Sequence, residues 1–571
     1  MPNSPKRLSR FWQELKRRRV IHIIVVYATA AFIIIELVNN VYEPLRLPDW
    51  TPLLVIVILA IGFPIAIIIS WIFDISLKGV KKAEPIQQNG VQSESTVLSE
   101  KPPVQEKSII VLPFENISPD PDQEYFSDGL TEEIITDLSH IHDILVISRS
   151  SAMTFKGTKK KIREIAVEVN VRYILEGSVR KAGNNIRITA QLIDALTDAH
   201  LWAEKYKGTL DDVFDIQEKV SRSIVNTLKI KLSSKEKKKI AERSIDDVKA
   251  QECYLKANHE LMKFTQDSLD LARQYLLKGL DLVGDNALLY SALGKTYYFY
   301  HDCGFKIDDD PLQKAEELAQ KAYALNPNLA SIHFLFGMLQ RGTGNLKSAV
   351  ENIKRAIEID PDDTNILLLY VWAITAYIGK SSKMKPFIIK LIEIDPYTPI
   401  NYIAKGLLFW MEGDMENAIN ISEKALEIDP GSRWAYFWMA NFLARSESYD
   451  SFQNVIDLAL KNDSSDLVAK FLIFCNYAVC RDKEKALNAL TTDVRTFAWN
   501  DPEGPWLLAG LFSIIDEKEQ SLDWLERAVD RGWINYPLFS ERDPFLENIR
   551  NEIRFKELME KVKHEWENFE V

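Results

Sequence analysis

Hydrophobic and polar positions follow four different patterns along the chain. Two runs near the start are almost continuously apolar: "VIHIIVVYATAAFIIIELVNNVY" from Val20 and "TPLLVIVILAIGFPIAIIISWIF" from Thr51. Each has roughly the ~20 residues that an apolar helix needs to cross a bilayer. Only the short "EPLRLPDW" separates them, so they read as a two-helix transmembrane hairpin, with spans at 20–42 and 51–74. Residues 78–107 are polar and rich in Pro, Gln, Ser and Glu, which predicts a flexible linker. From Ser108 the pattern changes. "SIIVLPF" and "ILVIS" are short buried-strand runs, and Ile162, Ile165, Ala166 and Val169 recur at helical spacing. Tyr173, Leu175 and Val179, then Ile186, Ile188, Ala190 and Leu192, alternate with polar residues as strands do, around the turn-forming "KAGNN". A closing helix from about Val213 completes a small α/β domain over 108–232.

The fourth pattern is a repeat. "EIDP" occurs at Glu358–Pro361, Glu393–Pro396 and Glu427–Pro430, and a near-copy, "KAYALNPN", precedes them. The prolines at 327, 361, 396 and 430 lie 34, 35 and 34 residues apart, the tetratricopeptide (TPR) period of two antiparallel helices per unit. Small residues fall where paired helices must approach: Gly337, Ala349 and Ala356 in one unit, Gly406, Ala418 and Ala425 in another. The unit from 364 has Val371 where glycine is usual and is degenerate. Residues 245–571 therefore read as an all-α solenoid whose last segment, "ERDPFLENIRNEIRFKELMEKV", forms a C-terminal cap. The expected fold class is thus mixed: a transmembrane hairpin, a small α/β domain and a C-terminal all-α TPR solenoid.

Charge sharpens this reading. The chain has a net charge of −12, yet residues 1–82 carry a net +6. Seven of these basic residues lie in the cytosolic segment 1–19, and Lys78, Lys81 and Lys82 follow the second run, so the positive-inside rule places both termini in the cytoplasm. An acidic body argues against general nucleic-acid binding. The four cysteines lack zinc-ligand spacing and read as free thiols. No P-loop, HExxH or GxSxG occurs, so neither cofactor nor catalysis is expected. Asp128 or Thr131 in "SDGLTEE" reads as a helix cap or as an anion site at that helix end.

Several segments carry a family resemblance. "SIIVLPFENIS", "YFSDGLTEEIITDLS", "ILVISRSSAMTFKG" and "VRYILEGSVRKAGNNIRITAQLIDALTDAHLWAEKYKG" resemble the TolB-like (FlgO-like) α/β domain of bacterial signalling proteins, which commonly precedes TPR repeats. The two-span head looks like the membrane anchor of a subset of these proteins. The resemblance implies a bacterial inner-membrane protein in which the α/β domain serves recognition or relay. It names no small-molecule ligand, and it admits a second reading as a ligand-responsive regulator related to cyclase- and transcription-associated modules.

Repeat phase then selects candidate partner-binding residues. The first-helix positions of a TPR concave face hold Phe334, Met338 and Arg341; Trp372; Ile403 and Trp410; and Trp434, Phe437 and Asn441. These form either a groove for a protein partner or the inter-repeat packing of a tightly wound superhelix. The leading expectation is a membrane-anchored, non-enzymatic adaptor that binds protein partners through the solenoid.

Overall fold

The computed structural model describes Val55, Leu59, residues 73–76 and 79–82, and 105–571 less 119–123, 242, 262, 264, 306 and 463–466. Two units result, 1–100 and 101–571. In the first, β1 (Phe73–Ser76) and β2 (Gly79–Lys82) pair antiparallel, with Asp74 in register with Lys81 and Ile75 with Val80.

The transmembrane expectation is corrected here. Among the described residues no helix is long and apolar enough to cross a membrane. The first expected span, 20–42, and most of 51–74 lie outside the described residues. Phe73 and Asp74, the expected end of the second span, belong to β1. The physical reason is local: in "FDIS" apolar and polar residues alternate with the period of a strand, and the continuous apolar run stops at Asp74. The expected multi-pass inner-membrane localisation is corrected with it.

The second unit opens with a sheet. Its strands are β3 (Ser108–Val111), β4 (Glu115–Asn116), β5 (Leu145–Val146), β6 (Tyr173–Ala182), β7 (Asn185–Asp194) and β8 (Ala199–Thr209). The order is β5-β3-β6-β7-β8, with β4 also on β6. β3 runs parallel to β5 and β6, and β6-β7-β8 is an antiparallel meander. The continuous apolar run of β3 is buried throughout, as a central parallel strand requires. From Asn185 to Leu192 β7 buries alternate residues and turns the others outward, as a half-covered antiparallel strand does, and its last two residues, Ile193 and Asp194, are buried as well. Gly183 takes φ 59° in the two-residue β6–β7 turn. Around the sheet lie α1 (Glu124–Ser139), α2 (Arg149–Met153), α3 (Ile162–Val169) and α4 (Val213–Thr227). Thr131 bonds within the fold: its hydroxyl donates to Ser127 O at 2.8 Å and accepts from Phe114 N at 3.0 Å.

After α5 (Ser234–Ala241), helices pair antiparallel in succession. The pairs are α6 (Val248–Leu261) with α7 (Gln266–Val283), α8 (Ala287–Asp302) with α9 (Pro311–Leu325), α10 (Ala330–Gly342) with α11 (Leu346–Ile359), and α12 (Thr364–Trp372) with α13 (Lys385–Ile394). They continue with α14 (Pro399–Met411) and α15 (Met415–Ile428), α16 (Arg433–Arg445) and α17 (Tyr449–Asn462), and α18 (Leu467–Val479) and α19 (Lys483–Ala489). α20 (Thr492–Asn500) leads to a last pair, α21 (Gly504–Ile514) and α22 (Lys518–Asp530). A π turn at Leu538–Arg542, a 3-10 turn at Pro544–Ile549 and α23 (Ile553–Asn568) finish the chain.

The repeated motif has one local geometry. Asn326, Asp360, Asp395 and Asp429 each cap a second helix, and each N–H donates to the carbonyl four residues back, at Ala322, Ala356, Leu391 and Ala425. Proline then forbids continuation of the helix. Glycine at the eighth position sets the closeness of a pair: a Cβ on Gly337 would lie 2.7 Å from Ile353. The α12 unit, which has Val371 there, leaves α geometry in a π turn at Ala373–Ile378.

Candidate functional site

The nine residues picked out by repeat phase all lie on first helices, and most are covered. Ile403 is 0% exposed, Asn441 1% and Trp410 3%; Met338, Trp372 and Phe437 are also buried. Phe334 and Arg341 are half-buried, and Trp434 is 36% exposed. Three of them, Arg341, Trp372 and Trp410, meet the chain's own segment 501–549.

Two polar anchors hold that segment. At one, Glu503 accepts from Trp372 Nε1 at 3.0 Å and from Tyr377 Oη at 2.6 Å, and Arg341 Nη1 lies 3.9 Å from the same carboxylate. Burial, then the Glu503 charge, pushes the Tyr377 phenol well above its ordinary range, so it stays a donor. Asp501 beside it caps the next turn, accepting from the N–H groups of Glu503 and Gly504 at 2.9 and 2.8 Å. Burial, reinforced by the Glu503 and Asp302 charges, raises its carboxyl well above the usual range.

At the other anchor, Arg445 and Asp543 form a fully buried pair, with Nε to Oδ1 at 3.1 Å and Nη2 to Oδ2 at 3.3 Å. Trp506 Nε1 donates to Asp543 at 2.8 Å, and Arg445 Nη1 donates to Asn441 Oδ1 at 2.9 Å. The Arg445 guanidinium lies 5.5 Å from the Trp410 ring, 5.0 Å from Trp506 and 4.4 Å from Phe545. Every polar atom of this buried group thus has a partner, which is what makes a buried charge tolerable. Between the anchors, Trp438, Trp506 and Trp533 stack at centroid distances of 6.4 and 4.9 Å. Asn535 donates to Ala376 O at 2.8 Å.

Outside this covered zone, Trp434 packs edge-on against Phe437 at 5.7 Å, below the Arg433 guanidinium. Sequence reasoning missed Arg445, Glu503, Trp506, Asn535 and Asp543. A signal was available for two of them. Arg445 follows Asn441 by one helical turn on an otherwise apolar face, and Asp543-Pro544 repeats the Asp-Pro of the motif.

A second junction joins the sheet unit to the helix pairs through one copy of the motif. Asp395 Oδ1 accepts from Ser148 Oγ at 2.5 Å and from Ser151 Oγ at 2.6 Å, while Oδ2 accepts from Asn401 Nδ2 at 3.1 Å. Ser148 N donates to Ile394 O at 2.8 Å, and Tyr397 N to Ser151 Oγ at 2.9 Å. Nearby, α1 faces α6: Gln251 Nε2 donates to Glu133 at 2.5 Å. Among the described residues no group of three or more His, Cys, Asp or Glu could hold a metal.

Comparison with known proteins agrees with the helix pairing. Residues 330–363 and 409–471 each match a tetratricopeptide repeat family. The chain carries C-terminal TPR repeats. Residues 105–227 match a different description, "HilA/YgeH-like transcriptional regulator, second domain", where the sequence suggested a TolB-like domain. "Putative adenylate cyclase 3" of Rhizobium meliloti (strain 1021) is 42% identical over 199 residues, 34% of this chain and 34% of the relative. "TPR repeat-containing protein YpiA" of Bacillus subtilis (strain 168) is 19% identical over 263 residues, 46% of this chain and 60% of the relative. The chain therefore spans about a third and three-fifths of these curated relatives. A solved structure, "Functional Characterization of Pseudomonas Aeruginosa pilF", is 17% identical at TM-score 0.28, over 37% of this chain and 96% of that one. Its low score carries no argument about function.

Proposed function

We propose that the chain is a protein-interaction scaffold whose TPR solenoid takes a protein partner on the first-helix face, through the set Phe334, Met338, Arg341, Trp372, Ile403, Trp410, Trp434, Phe437 and Asn441. What supports this reading is that the face already holds polypeptide. Segment 501–549 lies on it through carboxylates that meet Arg445, Trp372 and Tyr377. In the free chain a partner first reaches the parts of the set left open, Trp434 above all, with Phe334 and Arg341. An exposed tryptophan packed edge-on to a buried aromatic is the kind of rigid apolar anchor that dominates interfaces. The sheet unit, which we read as TolB-like, serves recognition or relay through its junction at Asp395. No catalytic step belongs to this reading.

The test is a photo-crosslinking residue at position 434 in the full chain. It should give a discrete adduct with another protein, and Phe334→Ala should diminish that adduct. Absence of adducts from both 434 and 334 would remove the reading.

A second reading, a ligand-responsive regulator, draws on the HilA/YgeH-like match and on the 42% identical relative. Ligand-dependent thermal stabilisation of the full chain across a nucleotide panel would favour it. A flat response would count against it.

A further inference from the structure

The meander β6-β7-β8 has two different faces. Leu175, Val179, Ile186, Ile188, Ala190 and Leu192 turn one face into the core. On the other face the register sets Arg180 opposite Arg187, and Arg187 opposite Lys207. All three side chains are exposed, as is Lys205, one row along, opposite Thr189. Directly opposed like charges on neighbouring strands destabilise a sheet. Their Cβ atoms are only about 5 Å apart. Among the described residues none of the four side chains forms an ion pair or hydrogen bond, although other cations of the sheet unit do. Arg172 pairs with Asp194 at 3.0 Å and Lys160 with Glu168 at 2.8 Å. The acids that the register brings to this face are Glu115, opposite Ser178 in the next row, and Glu176, opposite Gln191 in the row after. Among the described residues neither pairs with the four cations, which are held together against their own repulsion on a chain of net charge −12.

We propose that this open sheet face docks an acidic polypeptide segment, with Asp or Glu carboxylates of the partner lying across Arg180, Arg187 and Lys207. The chemistry favours carboxylates on a peptide. The two arginines present planar forks that take carboxylates bidentately. Ser178 and Thr189, opposite each other in the next row, add hydroxyls that can bond a peptide backbone. Ile117, 48% exposed and following β4 at the edge of the row, adds an apolar contact.

Nucleic acid fits less well. The sheet aromatics Trp202 and Tyr206 are in register with Leu192 and Ile188, on the opposite face, so no base could stack beside the cations. A nucleic-acid backbone would also run beyond a patch about 10 Å across three strands and meet the acidic remainder. A short acidic segment ends within the patch. This site is separate from the solenoid face and does not depend on it.

The experiment uses the full chain and a labelled glutamate-rich peptide of about ten residues, followed by fluorescence anisotropy at low and high salt. Wild type should bind the peptide, and binding should weaken as salt screens the charges. Arg180→Gln with Arg187→Gln should weaken it by about tenfold or more, because each contact is a charge-assisted bond. Lys347→Glu, the same change in net charge on an exposed solenoid lysine, should leave it within about twofold, since screening beyond a Debye length removes distant effects. The Arg-to-Gln pair should also leave Tm unchanged or raised, because it relieves repulsion. Equal loss in the two variants, no binding by wild type, or tighter binding of a single- or double-stranded DNA of equal charge would each overturn the proposal.

Discussion

Arg445 shows how much a single side chain can fix. It ends α16 fully buried and holds Asp543, Asn441 and three aromatic rings at once. Removing one member of such a pair leaves the other charge buried and alone, which costs about 3–5 kcal/mol. Arg445→Ala and Asp543→Ala should each lose stability on that scale in urea unfolding. Replacing both by apolar residues of similar volume, Arg445→Met with Asp543→Leu, should cost much less than the sum.

A titration prediction belongs to the same scale. Burial first, then the neighbouring Glu132 and Asp137 charges, push the Glu133 carboxyl up to about 8. Its folded value exceeds its unfolded one, so its favourable contribution is full below the unfolded value, near 4.5, and fades as pH rises through about 8. Glu133→Gln should therefore flatten the fall in Tm over that window. The change should be partial, since the side chain is half-exposed by surface area and solvent screens it.

Helices and their spacing were the most legible level, because they follow from position. Asp or Asn before Pro caps the second helix at each copy of the repeat, and the recurrence at 34–35 residues gave the phase of the pairs. Val371 marked the α12 unit as irregular, but nothing in the residues foretold that it would continue as a π turn at Ala373–Ile378. That turn depends on distant partners: Tyr377 meets Glu503, and Asn535 bonds Ala376 O. The beginning of the chain misled for the opposite reason. Hydropathy over long windows hid the two-residue alternation in "FDIS" that goes with β1.

Gly337 carries the element-scale prediction. An added Cβ would meet Ile353 at 2.7 Å, closer than packed atoms allow, so Gly337→Ala should cost about 1–3 kcal/mol by overpacking, despite alanine's better helix propensity. At Gly413, which ends its helix at φ 87°, a Cβ has open space around it. Substitution there should cost through backbone strain alone, roughly 1 kcal/mol. Thermal unfolding of the two variants separates crowding from conformation.

At the scale of the whole molecule, one repeat position does two different jobs. Asp429 and Asp395 occupy the same place in "EIDP", and each caps its helix. Asp429 is exposed, and its carboxylate accepts from Gly431 N two residues on. Asp395 is buried and takes both serine hydroxyls of the sheet unit together with Asn401. Sequence periodicity makes the two aspartates equivalent; only the arrival of Ser148 and Ser151 from almost 250 residues away distinguishes them. Hydrogen bonds to a charged group are worth about 1.5–3 kcal/mol each, and the serines would be left unpaired at a buried junction. Asp395→Ala should therefore cost several times more than Asp429→Ala in overall stability. It should also split a single thermal transition into two, as the sheet unit and the solenoid cease to unfold together. Hydrogen exchange gives the decisive contrast: faster exchange should appear on both sides of the junction, in 148–155 and 393–402, for Asp395→Ala alone. If both variants behave alike, the junction is held by the Phe155–Tyr397 ring contact and the backbone bond from Ser148 to Ile394 instead, and the repeated aspartate is no more than a helix stop at every copy.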